Sequence, residues 1–463
     1  MEATAAVALN VNPLSFTNMR SIGEIQLSHA EYYMHLLDHA DSLYLNGGEG
    51  FNEGLEIFAL EWPNIQAGQS WASQTNADAA AELCNAYPIS GAYLLAMRLH
   101  PRELIKWSES ALEAARRLRY RDDESVHLGN LGNAYADLEE WQKAIESYEL
   151  SLSITRDLGD RRGEGITLDN LGRVYRATGE LRRAIELHEE RLKLAREIDD
   201  RRGEGVALGN LGLAYANLGE PRRALEFYEQ DLKIARSLGD RLSESTALGN
   251  IGTAYATLGE TPRALDFYQQ YLTISREIGY RQGEGIALGN IGAALLDLGE
   301  VQKAIDSHEQ ALTIARELND RVGEGSAVGN LGNAYLTLGD LRRAISLYGE
   351  HLSIAREVGD HEGETLALSN LGVAYATSGD LRRGIAFHEQ ALAIARKFTY
   401  RRSEGLALWN LAQTFAKGGD LDRAIAHAEA ALAIYEIIEE PNATRVREQL
   451  ATWHSTQERT DKA

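Results

Sequence analysis

The sequence predicts an all-α fold, an α-solenoid of antiparallel helix hairpins, and three observations carry this. Asparagine recurs at Asn130, Asn170, Asn210, Asn250, Asn290, Asn330, Asn370 and Asn410, one every 40 residues. A fixed period of this size marks an array in which each unit packs only on its neighbours. Within a period, apolar and small residues fall at helical spacing. Glycine then closes most of these stretches, as it does just past a helix C-terminus.

Residues 161–200 show one period. Arg161-Arg162-Gly163-Glu164-Gly165 opens a first helix with Ile166, Leu168, Leu171, Gly172 and Tyr175 at helical spacing, and Thr178-Gly179 ends it. Glu180 starts a second helix. The equivalent residue is acidic in all eight repeats, which suits the positive end of the helix dipole. Pro221 and Pro262 fall in the first turn of their helices, where proline is tolerated. The second helix carries Ala184, Ile185, Leu187, His188, Leu192, Leu194, Ala195 and Ile198, and stops at Asp199-Asp200, where most repeats have Gly-Asp. Two helices of roughly 17 residues, each ~26 Å long, form a hairpin that cannot bury both faces alone, so neighbours must stack. Gly132, Gly172, Gly212, Gly252, Gly292, Gly332 and Gly372 sit in mid-helix, where glycine costs ~1 kcal/mol relative to alanine. Close helix approach is the expected reason, with the alanines at 144, 184, 224, 264, 304 and 344 as partners across the hairpin.

The expected organisation is a flexible N-terminus over 1–21, a helical connector over 22–79, a degenerate repeat over 80–120, eight 40-residue repeats over 121–440, and a capping helix with a tail over 441–463. The connector holds Ala30, Tyr33, Leu36 and Leu37 in one helix and Leu55, Phe58, Trp62 and Ile65 in another. Trp107 and Leu99 are expected core. The last repeat departs from pattern at Trp409, Ala412 and Phe415, as a terminal cap does. A final helix is expected around Arg445–Trp453, and residues 455–463, which are polar, are expected to fray.

The net charge of −22 argues against a nucleic-acid partner, which needs a basic footprint. The one cysteine, Cys84, rules out an intrachain disulfide and fits a reducing compartment. No apolar run approaches the ~18 residues of a membrane helix, and Met1-Glu2-Ala3-Thr4 lacks the basic start of a signal peptide, so a cytoplasmic location is expected. No catalytic constellation emerges. His188-Glu189 and His308-Glu309 lack the second histidine of a zinc protease motif. His188, His308 and His388 replace tyrosine at one packed position. Gly163-Glu164-Gly165 follows a helix and no strand, so it is not a dinucleotide loop. Cys84 has no histidine partner in its own helix pair. The chain is expected to be no enzyme and to need no cofactor or metal.

Leu-Gly then Tyr in the first helix, with Ala then Tyr or His in the second, resembles the tetratricopeptide repeat. The 40-residue period, with Gly-Asp-Arg-x-Gly-Glu-Gly and Gly-Asn-Leu-Gly-x-Ala-Tyr, resembles the subclass in Pins/LGN-type polarity scaffolds. It also resembles the tandem arrays at the C-terminal end of bacterial STAND signalling ATPases, and residues 22–120 resemble their connector. The likeness covers residues 121–440. It implies a right-handed superhelix whose first helices line a concave groove for a protein or peptide. No Gly-x-x-x-x-Gly-Lys-Ser/Thr motif occurs, so the chain either acts without such an ATPase domain or is a piece of a longer protein.

On that resemblance the asparagine ladder falls in the groove. An amide offers donor and acceptor together, so it can clamp a peptide backbone without reading side chains; alternatively it fixes one repeat to the next. Variable neighbours on the same helix face would then set specificity, among them Asn133, Arg173 and Asn333 three residues on and Asn217 seven residues on, with Arg173 and Arg176 a basic spot. The glutamates at 124, 164, 204, 244, 284, 324, 364 and 404, and the arginines ending the second helices, read as dipole compensation and inter-repeat pairing. A basic stripe (Lys143, Arg183, Arg223, Arg263, Lys303, Arg343, Arg383, Arg423) has an acid three residues before each member, a pairing distance on a helix. The expected function is a non-catalytic scaffold that binds a peptide or partner domain. The expected state is a monomer, with a homo-oligomer as the other outcome. A sensor arm of a STAND-type ATPase and a self-assembling structural solenoid are the alternatives.

Overall fold

The computed structural model describes residues 21–46, 49–437 and 442–460. Apart from Ser21, the expected flexible N-terminus lies outside them. Among the described residues every regular element is a helix. Five come first: α1 (Ile22–Asn46), α2 (Glu49–Gln74), α3 (Asp78–Ser90), α4 (Ala92–Arg98) and α5 (Pro101–Leu118). Eight hairpins follow: α6 (Arg121–Asp137) with α7 (Trp141–Leu158), α8 (Arg161–Ala177) with α9 (Leu181–Glu197), α10 (Arg201–Asn217) with α11 (Pro221–Leu238), α12 (Arg241–Thr257) with α13 (Thr261–Glu277), α14 (Arg281–Asp297) with α15 (Val301–Glu317), α16 (Arg321–Leu338) with α17 (Leu341–Val358), α18 (His361–Thr377) with α19 (Leu381–Lys397), and α20 (Arg401–Lys417) with α21 (Leu421–Ile437). The last helix is α22 (Asn442–Thr460). The chain divides into two units, Met1–Leu194 and Ala195–Ala463.

In the first unit Ser21 and Glu24 form a capping box at the start of α1. The Glu24 N–H donates to Ser21 Oγ at 3.2 Å and the Ser21 N–H donates to Glu24 Oε2 at 2.6 Å. Ala30, Leu37, Phe58 and Ile65 bury the α1–α2 seam. The Tyr87 hydroxyl from α3 donates to the Ala30 carbonyl at 2.8 Å, and Trp62 stacks on Trp107 with centroids 5.6 Å apart. Leu99 and Trp107 are buried. Residues 80–120 hold three helices, not a simple hairpin. The Asp41 carboxylate accepts the Leu94 N–H at 2.8 Å, which anchors the short α4 against α1.

Between successive hairpins the aspartate of Gly-Asp does more than end a helix, because it caps the next one. Asp160 accepts the Gly163 N–H, Asp240 that of Ser243 and Asp360 that of Gly363, at 3.0, 3.1 and 2.8 Å, each satisfying one orphan donor of a first turn. Asp360→Ala is expected to cost about 1 kcal/mol, read as a lower midpoint in thermal unfolding. The glycines before the caps hold positive φ, 71° at Gly159 and 65° at Gly239, where a Cβ is unfavourable.

The glutamate ladder sits at these same junctions. In the second unit Glu244 is buried and receives Arg236 Nε at 2.8 Å and Arg241 at 2.7 Å. Arg241 continues to Glu277. Glu284 repeats this with Arg276 and Arg281, and Glu324 with Arg316 and Arg321. Burial alone would push the Glu284 carboxyl up; the hydrogen bonds from Arg276 and Arg281 outweigh it and leave it below the usual range.

The mid-helix glycines do not meet the expected alanines. They meet rings one helical turn further along. A Cβ built on Gly132 would lie 2.5 Å from Tyr148 Cε1, on Gly172 2.6 Å from His188 Cε1, and on Gly252 2.6 Å from Tyr268 Cε1. The alanines at 144, 184, 224, 264, 304 and 344 are fully buried beside these rings. His188, His308 and His388 stand in for tyrosine here and are buried core residues. The last hairpin inverts the arrangement: where the glycine becomes Ala412, the ring becomes Ala428, and both are fully buried.

The C-terminal helix runs further than expected at both ends. Its last turns hold because Gln457 Nε2 donates to Asp422 of α21 at 2.5 Å, and because Thr452 and Thr456 hydroxyls bond back to carbonyls one turn earlier. Trp453 stacks on Trp409 at 5.9 Å, and Val446 and Leu450 are buried in the same cluster. The aberrant tryptophan at 409 thus packs against the helix that follows the last hairpin.

Candidate peptide groove

Each ladder asparagine lies in the middle of a first helix. All but one are half-buried, and Asn410 is buried. One turn before them stand Val206, Ile286, Leu366 and Leu406 in the second unit, and Val126 and Ile166 in the first; every one is exposed, Ile166 at 56% and Val206 at 48%. Apolar side chains left in water beside half-buried amides, repeat after repeat, mark a surface that gains by being covered.

Among the described residues the side-chain amides of Asn250, Asn290, Asn330 and Asn370 form no hydrogen bond to the protein. The inter-repeat bonds expected on the architectural alternative are absent at these four positions. Asn170 differs, its Oδ1 accepting Arg173 at 3.4 Å. The candidates three residues on divide. Asn133 and Asn333 each spend the amide oxygen on the tyrosine that covers the mid-helix glycine, Tyr148 donating at 2.6 Å and Tyr348 at 2.7 Å. Only their –NH2 groups are left for a ligand. Arg173 and Asn217 are exposed and Arg176 is half-buried.

Two of the cavities that open on the ladder, both in the second unit, share one arrangement. One, of about 300 Å³, lies among α10, α11 and α12 and is lined by Val206, Asn210, Leu213, Asp231, Ile234, Leu242 and Asn250, among others. The other, of about 240 Å³, lies among α14, α15 and α16, with Ile286, Asn290, Ala311, Ile314 and Asn330. They are the same place in the repeat, two repeats apart.

The tetratricopeptide repeat model matches residues 122–197, 200–277, 283–357, 329–397 and 363–437, more than half of the sequence. The chain belongs to the tetratricopeptide repeat family. Solved structures share the fold at low identity. The Signal Transduction ATPase with Numerous Domains (STAND) protein with a tetratricopeptide repeat sensor from Pyrococcus horikoshii is 15% identical over 94% of this chain and 68% of that chain, with a TM-score of 0.53. The apo quorum sensor NprR from B. thuringiensis is 13% identical over 89% and 99%, at 0.52. Apo RapI is 15% identical over 60% and 99%, at 0.51. No curated protein sequence matches the chain.

A position on the second helix decides whether the space beside the ladder is filled or open. It runs Ser151, Arg191, Asp231, Tyr271, Ala311, His351, Ala391 and Ala431, and at Arg191, Asp231, Tyr271 and His351 it faces a glycine on the first helix. Tyr271 closes the site between the two cavities, its ring 3.0 Å from a Cβ built on Gly249. His351 closes the next one along, against Gly329. In the first unit the buried Arg191 covers Gly165 and pairs with Asp169 at 3.3 Å, which His188 also contacts at 3.3 Å. Asp231 and Ala311 leave their sites open. Burial first, and the charge of Asp240 second, push the Asp231 carboxyl up to about 7. The sequence itself marks this column, which holds basic, acidic, aromatic, polar and small apolar residues from repeat to repeat.

The basic stripe is internally satisfied. Lys143, Arg223, Arg263 and Arg423 pair with the acid three residues before at 2.6–3.1 Å; Arg183 reaches Glu149 instead, at 3.5 Å. Most of these cations also lie over the aromatic ring ending the first helix, Arg183 4.2 Å from Tyr175 and Arg223 4.3 Å from Tyr215. Among the described residues no cluster of three His, Cys, Asp or Glu could hold a metal, and no helix is long and apolar enough to cross a membrane. Burial, then the charge of Glu113, push the Cys84 thiol up to about 11, far from the thiolate a nucleophile needs.

Proposed function

We propose that this tetratricopeptide array is a peptide-binding scaffold that works in the cytoplasm, as a monomer, without a catalytic step or cofactor, and that the asparagine ladder clamps the backbone of an extended protein segment. The observation that carries this is the set of half-buried amides at Asn250, Asn290 and Asn330 that have no protein partner, beside exposed apolar residues and the two cavities. An amide clamp gives affinity through the ligand's main chain, while the cavities sort its side chains. NprR, which shares this fold, is described as a quorum sensor. The test is a triple variant, Asn210→Ala, Asn250→Ala and Asn290→Ala, folded by circular dichroism. A fluorescent peptide selected on the wild type from a randomised library should bind it at least about tenfold more weakly, since each lost charge-free hydrogen bond is worth roughly 1 kcal/mol. Unchanged affinity would refute the clamp.

A second reading, the sensor arm of a STAND-type ATPase, is favoured by one observation: helices α1 to α5 precede the array, and the STAND protein's fold covers nearly the whole chain. Co-purification of the full chain with a nucleotide-hydrolysing partner encoded beside it is the result this reading requires.

A further inference from the structure

We propose that the cavity at Asp231 is a subsite for the cationic side chain of a lysine or arginine in the bound peptide. This deepens the groove reading above and rests on it. Asp231 projects from α11 into a cavity whose walls are Val206, Ile234 and Leu242, with the Asn210 and Asn250 amides at its edge. Among the described residues its carboxylate forms no hydrogen bond and no ion pair. The charges around it are already matched. From α10, Arg202 pairs with Asp240 at 3.5 Å, and Glu204 with Arg196 and Arg201. From α12, Glu244 is held by Arg236 and Arg241. Asp240 also caps α12. Among the described residues that line this space, Asp231 is therefore the carboxylate without a counter-charge, and a cation that forms charge-assisted hydrogen bonds is the group that stabilises it most. The aliphatic stem of lysine or arginine would lie on the apolar walls while its head reaches the carboxylate.

The array contains its own control. The same site two repeats on has Ala311 in place of Asp231 and keeps the cavity. It offers an apolar side chain a place and offers a cation nothing. The two intervening and following sites are closed by Tyr271 and His351. The peptide is thus read as basic at one position and apolar at another. Because the Asp231 carboxyl is pushed up to about 7, holding it ionised for the cation becomes costly as the medium turns acidic.

The experiment selects a randomised peptide library against the full chain and against Asp231→Asn and Asp231→Ala; alanine is native to this column at three other repeats, so the fold tolerates it. Wild type should enrich peptides carrying Lys or Arg at one fixed position, and both variants should lose that enrichment while still selecting peptides. Acetylating the lysine, or changing an arginine to citrulline, should weaken binding to the wild type about tenfold or more and leave the variants unmoved. Wild-type affinity for the unmodified peptide should fall about tenfold from about pH 8 to about pH 6, with no fall for Asp231→Asn. Peptides selected without a basic position, or a preference that survives in Asp231→Asn, overturn the subsite and leave the groove standing. Failure of the wild type to select any peptide overturns both.

Discussion

Gly252→Ala is expected to destabilise the second unit by about 1–3 kcal/mol, the usual cost of forcing a methyl group into a filled core. Helix propensity alone predicts the opposite sign, a gain of about 1 kcal/mol, so the sign discriminates. The new methyl would lie 2.6–2.7 Å from Tyr268 ring carbons. That ring is buried, and its hydroxyl donates to Thr253 at 3.2 Å, so it has little room to retreat. The test is a double-mutant cycle by urea unfolding. In a Tyr268→Ala background, Gly252→Ala should become neutral or stabilising, because the pair then matches Ala412 and Ala428. An unchanged cost in that background would show that the ring is not what requires the glycine.

Acidification from pH 7 to pH 5 is expected to cost the second unit about 2 kcal/mol for each of His308 and His388, offset in part by Asp231, whose raised carboxyl takes up its proton in the folded protein over the same range. Burial pushes both rings down to about 4, against an ordinary histidine near 6.5. The folded protein keeps them neutral while the unfolded chain takes up protons below about 6.5, so the stability present above that pH is lost progressively down to about 4. Neither nitrogen of His388 has a hydrogen-bond partner and Nδ1 of His308 has none, so no local group offsets the proton. His308→Tyr and His388→Tyr, which restore the residue found at this position in other repeats, should flatten the dependence of the melting temperature across this range. The glutamate ladder adds an acid dependence of its own only lower down, since the carboxyls of Glu204, Glu244, Glu284 and Glu324 are all held below their ordinary range.

Much of the architecture was legible because one residue pattern is written eight times. Period, helix polarity, turn glycines and the pairing of the basic stripe all follow from spacing along a helix. What was not legible depends on contacts between helices. The partner of Gly252 is Tyr268 and not Ala264, a difference of one turn that the crossing of two helices decides and spacing does not. The residues that fill or open the space beside the ladder were not legible from the first helix, because Asp231 and Tyr271 lie on the second. The oxygens of Asn133 and Asn333 looked available in sequence and are engaged by Tyr148 and Tyr348. The helix at the C-terminus looked too polar to persist to Thr460, and contacts to other helices, among them Gln457 to Asp422 and Trp453 to Trp409, tie its last turns down.

Binding at the asparagine ladder is read most directly by a titration of the selectively 15N-asparagine-labelled protein with a peptide selected on the wild type, followed by the side-chain amide resonances. The –NH2 signals of Asn250, Asn290 and Asn330 should shift on binding, and their solvent exchange should slow. Saturation with peptide while those signals stay in place would contradict it.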